Sequence, residues 1–320
     1  YQTAGIAGGI RGGGEQGRFS VSGNFDQSQG FDACAGRGAP YFDGCGTDEP
    51  DADGYTNYGV SASAGYDISE RMSIDANFLR AETDVDYDGA FQNEARNLQQ
   101  VAGVNLRLRP LDYWDVKLAA GRSWDEQRNF NDGDFASRFD TRRDSLSLQN
   151  DVAVGANHLV TVGVDYQEDS VTSDVDYAVS ARDNIGVFGE YQAWLGPVGV
   201  KASLRHDDNE QFGGHTTGDL VLGYDITPDL RITAAYGTAF TAPTFNDLYY
   251  PGDAFFAGGN PDLEPEESRS AELGLAGRTG PMDWSLNVYE TRIDDLITLV
   301  PPTFAAENID AARIRGLEAV

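Results

Sequence analysis

The chain has 320 residues, 40% of them hydrophobic, and a net charge of −29 from 52 acidic and 23 basic residues. Phosphate binding needs clustered Lys and Arg, so this balance argues against a nucleic-acid partner. Mean hydropathy is negative (−0.43), and no apolar run approaches the roughly 20 residues of a membrane-spanning helix. Neither fact bears on β-strands that dilute lipid-facing residues with polar ones.

Period-two alternation starts near the N-terminus. Phe19, Val21 and Phe25 oppose Ser20, Ser22, Asn24 and Asp26, and Met72, Ile74, Ala76 and Phe78 oppose Ser73, Asp75 and Asn77. The pattern returns at 160–167, 198–205, 219–226 and 284–289. It is strongest from Arg231 to Phe240, where Ile232, Ala234, Tyr236, Thr238 and Phe240 share one side and Arg231, Thr233, Ala235, Gly237 and Ala239 the other. An apolar face against a small or polar one is how a strand looks between lipid and a wet lumen.

Connections sharpen this reading. Short turns are expected near 67–71, 110–113, 155–158, 195–198, 227–230 and 279–282. Longer polar segments fall at 30–54, 84–96, 126–137, 169–176, 207–217, 241–267 and 295–312. Short and long alternate, as periplasmic turns and external loops do in outer-membrane barrels. Trp114, Trp194 and Trp284 sit beside short turns, where an aromatic girdle would meet the lipid boundary. The hairpins amount to about fourteen strands and the opening of another at Arg313–Val320, an all-β antiparallel transmembrane barrel read as one incomplete domain over 1–320. A chain that begins at Tyr1 inside a strand, without a secretory signal, reads as processed or partial.

The first long loop carries the coordination chemistry. Glu49, Asp51 and Asp53 place oxygen donors at alternate positions before Gly54, a spacing that lets a tightly turning backbone aim alternate side chains inward at a hard cation. The next loop adds Asp84, Asp86, Asp88 and Glu94, so a cation taking 6–8 oxygens could draw on both. The same first loop holds Cys34 and Cys45, the only cysteines. They suit a local disulfide in an oxidising compartment, which would contribute about 2–3 kcal/mol on the chain-entropy model; the alternative is a pair of free thiols. Tyr41, Phe42, Phe245, Tyr249, Tyr250, Phe255 and Phe256 decorate two external loops, a contact surface suited to a large amphipathic ligand. His158, His206 and His215 are too scattered for a metal motif, and no nucleophile elbow, phosphate loop or CxxC pair occurs. An enzyme is not expected.

The segment 231–277 resembles the barrel of TonB-dependent outer-membrane receptors through Tyr236-Gly237-Thr238, Phe240, Ala242-Pro243, Leu248-Tyr249, Gly259-Asn260-Pro261, Leu263, Pro265-Glu266, Glu272 and Gly274. Within that family the chain is similar to the cobalamin-importing branch, in the run from Arg205 to Gly213 with His215, in Ile293–Ile297, and in Ala312–Ala319. The resemblance implies a barrel of about 22 strands around an N-terminal plug that engages the TonB complex. This sequence shows neither plug nor TonB-engaging segment, and roughly the last third of such a barrel is not in it. The resemblance also implies calcium at Asp32, Glu49, Asp51, Asp53, Asp88 and Glu94, with Glu94 where the family usually has Asp and Glu49 where it has an amide. The expected function is energised uptake of a scarce large nutrient, cobalamin first, through the outer membrane of a Gram-negative bacterium. A ferric-siderophore receptor of the same family and a passive or structural barrel are the alternatives.

Overall fold

The computed structural model describes residues 2–33, 36–37, 47–252, 258–301 and 303–320. Its strands are β1 (Thr3–Gly13), β2 (Gly17–Ser28), β3 (Tyr55–Ser69), β4 (Met72–Asp86), β5 (Glu94–Leu111), β6 (Trp114–Asn131), β7 (Asp134–Val154), β8 (His158–Ser173), β9 (Ala181–Leu195), β10 (Val198–Asn209), β11 (Gly213–Thr227), β12 (Leu230–Thr241), β13 (Glu266–Thr279), β14 (Met282–Val300) and β15 (Ala305–Ala319). Among the described residues one short helix, α1 (Phe245–Tyr249), lies between β12 and β13. The strands neighbour one another in strict sequence order within one sheet. Contacts group the chain into two units interleaved in sequence, 1–108 with 118–146 and 168–176, and 109–117 with 147–167 and 177–320.

In the first unit, register turns the alternation of the sequence into two faces. Ile10, Val21, Ala62, Phe78 and Ala102 lie side by side across β1–β5, while the next row is Arg11, Ser20, Ser63, Asn77 and Gly103. The polar rows bond among themselves: Ser20 to Ser63 at 2.9 Å, Ser22 to Ser61 at 2.7 Å, and Arg18 to Asp75. On the other side Phe19 and Val21, on a strand paired along both edges, are 47% and 45% exposed. A water-soluble fold would hide such side chains, whereas a lipid-facing wall leaves them bare.

The second unit repeats the scheme. Val200, Leu222, Ala234, Leu273, Val288 and Leu317 form one apolar row. The polar face carries Lys117–Asp151 (2.7 Å), Lys201–Glu190 (3.2 Å) and Arg205 between Asp165 (2.7 Å) and Asp207 (2.8 Å). Arg231 crosses this face beside Gly223, where an added Cβ would sit 2.1 Å from its Nη2. The same guanidinium lies 5.2 Å from the centre of the Trp194 ring, and Trp194 pairs with Gly199 in the polar row. Trp194 therefore faces the polar side and does not belong to a lipid girdle. Trp284 alternates with Leu286 and Val288 on the apolar side, as expected.

The strands run longer than the sequence reading allowed. Segments 126–137, 207–217 and 295–312 are extended hairpins that close in short turns. In the first, Asp132 (φ 51) and Gly133 (φ 82) both take positive φ, the conformation of the two-residue turn that Asp-Gly favours between twisted strands. The polar composition of these hairpins belongs to strands that continue beyond the apolar band.

The clustered core among the described residues lies where α1 and the loop after it meet the ends of β14 and β15. Leu248 (0% exposed), Leu263 (4%) and Ala306 (2%) cluster with Phe212, Tyr249 and Ile297. The Thr244 hydroxyl accepts from Asp247 N while Asp247 accepts from Thr244 N, a reciprocal cap that starts α1.

The two-faced wall makes a direct stability prediction. Leu222 is five residues from the turn after Thr227, roughly 12 Å up a tilted strand and near the middle of an apolar band about 25 Å tall. In denaturant titrations of the intact receptor in vesicles, Leu222→Arg should lower stability by about 2–4 kcal/mol, and Leu222→Phe by under ~1.5 kcal/mol. Equal tolerance of both would contradict the assignment of this face to lipid.

Candidate cation and ligand site in the external loops

Between β2 and β3 the backbone is folded back on itself by local bonds. Asp51 N donates to the Glu49 carbonyl at 2.9 Å and Asp53 N to the Phe31 carbonyl at 3.1 Å. Gly30 takes φ +66, and a Cβ there would lie 1.8 Å from the Asp53 carbonyl oxygen, so only glycine permits this approach. The Asp53 carboxylate is aimed by accepting from Ala33 N at 2.7 Å. The β4–β5 loop closes against it, with Asp86 N donating to the Gly54 carbonyl at 2.9 Å.

These contacts bring Asp51, Asp53 and Asp88 together, their carboxylate oxygens within 4.8 Å of one another. Both Asp88 oxygens are shielded from solvent and accept no hydrogen bond. Burial first, then the fields of Asp53, Asp32, Glu49 and Asp51, hold the Asp88 carboxyl above its ordinary value. A donor set made only of oxygens, with two of them shielded and unbonded, fits a hard, oxygen-seeking cation. Asp51, Asp53 and Asp88 would hold it.

The other expected ligands are placed differently. Glu49 is a clip: its carboxylate accepts from the Asn93 side-chain amide and from Gly89 N at 3.4 Å. Asn93 in turn donates to Asp132 at 3.0 Å and accepts from Asp132 N at 2.9 Å, which ties the β6–β7 hairpin tip to the acidic loops. Asp32 is exposed and acts on Asp88 through its field. Glu94 opens β5 opposite Asp86, and Asp84 is paired with Arg96 at 3.2 Å. Asn93 and Asp132 were not singled out in the sequence; the clue available there was the Asp-Gly turn.

Of the aromatic candidates, Phe245 is buried (6% exposed) beneath the Arg182 guanidinium, 4.8 Å from its ring. Tyr249 is half-buried and its hydroxyl accepts from the Gln211 amide. Tyr250 is exposed (47%) with its ring edge-on to Tyr177, whose hydroxyl donates to Asn246 at 2.5 Å. Tyr250 thus faces solvent beside Tyr177, while Phe245 is buried beneath. Tyr41, Phe42, Phe255, Phe256 and both cysteines, Cys34 and Cys45, lie outside the described residues.

An antiparallel wall with an apolar and a polar face, short turns on one side and acid-bearing loops on the other, is the construction of an outer-membrane receptor barrel. The sequence profile described as TonB dependent receptor-like, beta-barrel, matches residues 25–320, and the chain belongs to that family. Its members are receptors and transporters of the Gram-negative outer membrane, not enzymes, and the protein resides in that membrane. Among its relatives is a vitamin B12 transporter of Photobacterium profundum, 31% identical over 99% of this chain and 51% of the relative. A vitamin B12 transporter of Vibrio vulnificus is 30% identical over 84% of this chain and 45% of its own. The chain thus spans about half the length of these relatives. Similar solved structures include a ferric enterobactin receptor mutant of Pseudomonas aeruginosa (TM-score 0.81, 16% identity, 99% of this chain and 56% of that one). The siderophore receptor PirA of the same species has TM-score 0.77 and 18% identity, covering 99% and 57%. At these identities the likeness is one of fold.

Burial and the neighbouring carboxylates together disfavour the ionised form of Asp88, and the sign of the effect is fixed. A carboxyl whose folded pKa is raised favours folding at pH values below its unfolded pKa, and that contribution disappears as pH climbs through the folded value. At neutral pH with chelator, Asp88→Asn should therefore slow amide exchange over residues 47–54 and 87–93 relative to wild type. Faster exchange in the variant would show that the ionised carboxylate supports these loops unaided.

Proposed function

We propose that the protein is the barrel portion of an energised outer-membrane receptor that imports cobalamin, with calcium ordering the external loops before the ligand binds. One observation carries the cargo: two vitamin B12 transporters align with it at about 30% identity, one of them along 99% of the chain. The siderophore receptors that share its shape do so at 16–18% identity, so they support the fold and leave the cargo to the closer sequences. A bound cation would offset the repulsion among Asp51, Asp53 and Asp88, and the strain at Asp88 supports that part of the reading. The exposed Tyr250, edge-on to Tyr177, suits a ligand with a large apolar face and a polar amide rim. In this scheme uptake is non-covalent, and a plug engaging the TonB complex supplies the energy.

Calorimetry on the full-length receptor separates the readings. Cobalamin should bind in calcium buffer and lose at least about tenfold in affinity in chelator, because loops that must order on binding charge that cost to the ligand. Asp53→Asn and Asp88→Asn should remove the calcium dependence. Displacement of cobalamin by a ferric catecholate, or binding of the ferric chelate alone, would replace the cargo assignment with a siderophore. Unchanged affinity in chelator would remove calcium from the scheme.

A further inference from the structure

The apolar face of β13–β15 ends abruptly in charge. Going up from Trp284, successive rows are Leu275–Leu286–Ala319, then Leu273–Val288–Leu317, then Ala271–Glu290–Arg315, then Arg269–Arg292–Arg313. The last row sets three guanidinium side chains directly abreast on neighbouring strands. Like charges facing one another across a ladder are destabilising unless something neutralises them.

Among the described residues, the protein supplies only part of that neutralisation. Glu290 accepts from Arg292 at 2.8 Å and from Arg315 at 2.6 Å, with Arg313 at 3.7 Å, and Asp294 stands 3.5 Å from Arg269. Glu267, one row further on, lies 3.9 Å from His215. Four cations thus face three carboxylates, Glu290, Asp294 and Glu267, a surplus of one positive charge among the described residues of a chain whose net charge is −29. Arg269 and Arg292, on strands paired along both edges, are 58% and 57% exposed. Each guanidinium keeps N–H donors to spare, in the planar fork that matches a phosphate.

Position along the strand says what kind of anion belongs there. Glu290 and Arg292 are eight and ten residues from the turn before Met282, roughly 19 and 24 Å of height on the scale that puts Leu222 at roughly 12 Å, so the charged rows stand near the outer boundary of an apolar band about 25 Å tall. Immediately below the charged rows, Leu273 (55% exposed) and Val288 (42%), on strands paired along both edges, are bare. An occupant therefore meets guanidinium above and hydrocarbon below, which is the chemistry of an amphiphile with an anionic head and acyl chains. We propose that Arg269, Arg292, Arg313 and Arg315 bind the phosphorylated headgroup of an outer-leaflet lipid, whose chains lie on the Leu273–Val288–Leu317 row. The lipid anion then completes the neutralisation that Glu290 and Asp294 begin.

The test is lipid retention by the intact receptor in detergent with chelator present, so that bridging cations play no part. The probe is a phosphorylated glycolipid of the outer leaflet, with its enzymatically dephosphorylated form as comparison, and bound lipid is counted by native mass spectrometry. Wild type should retain the phosphorylated form preferentially and lose it as salt is raised. Arg292→Gln with Arg313→Gln should weaken retention by roughly fivefold per arginine, since a basic residue at an anionic membrane surface contributes about 1 kcal/mol. Arg18→Gln, which removes a charge from the polar face, should leave retention unchanged, and heat-modifiable gel migration reports that each variant is folded. Equal retention of the two lipid forms by wild type would overturn the proposal, whatever the variants do. So would undiminished retention in a folded double variant.

Discussion

In hydrocarbon a backbone N–H or C=O without a partner costs several kcal/mol, and no water is present to take its place. Everything else in this chain is arranged around that constraint. Long antiparallel ladders satisfy the main chain strand by strand, which frees the side chains from building a dry interior. Large apolar residues such as Phe19 and Leu204 stand exposed, because lipid takes the place of a core. The opposite face is held by discrete polar bonds, from the serine pairs of β2 and β3 to Arg205 between Asp165 and Asp207. The described cluster of buried apolar residues gathers Leu248 and Leu263 onto the ends of β14 and β15 at Ile297 and Ala306, where water is present and burying apolar surface again stabilises the fold.

That division of labour explains what could be read from the residues alone. Strands of a wall alternate strictly, since each side chain meets one of two solvents, so β4, β10 and β12 were legible from period two. Polar hairpin ends were not. Once strands rise past the apolar band both faces become polar, alternation vanishes, and 126–137 looks like a loop although it is a ladder closed by Asp132-Gly133. Trp194 failed for a different reason. Nearness to a turn fixes height but not side, and the glycine opposite it with Arg231 over its ring placed it on the polar face. The helix α1 was announced by Thr244 and Asp247 three residues apart, a cap that was not singled out beside the family-like motifs around it.

The acidic loops show the same limit at the level of a site. The alternation of Glu49, Asp51 and Asp53 is local, and local spacing is legible. Which of these residues points inward depends on partners far along the chain: Asp88 arrives from the next loop to join Asp51 and Asp53, while Glu49 turns away to hold Asn93 and Gly89. Carboxylates that look equivalent in sequence are thus divided between holding a charge centre and building the frame around it. Relatives of the chain add a cargo to consider but no geometry, because their names attach to whole receptors about twice its length.

Charge in this protein is distributed by solvent rather than by sign alone. Where loops stand in water, acidic groups can crowd, because protons and cations are available to relieve them, and Asp88 records the residual strain. On the lipid-facing side no such reservoir exists within the apolar band, and charged residues appear only where that band ends, already paired with carboxylates. The rows from Glu290 to Arg313 depart from this economy by carrying more cation than the described residues neutralise. An unbalanced charge at the edge of hydrocarbon is costly to maintain, and it persists most readily when the membrane supplies the counter-charge. On that argument the barrel wall is more than a passive insert, because part of its own electrostatic balance is held by the lipid around it.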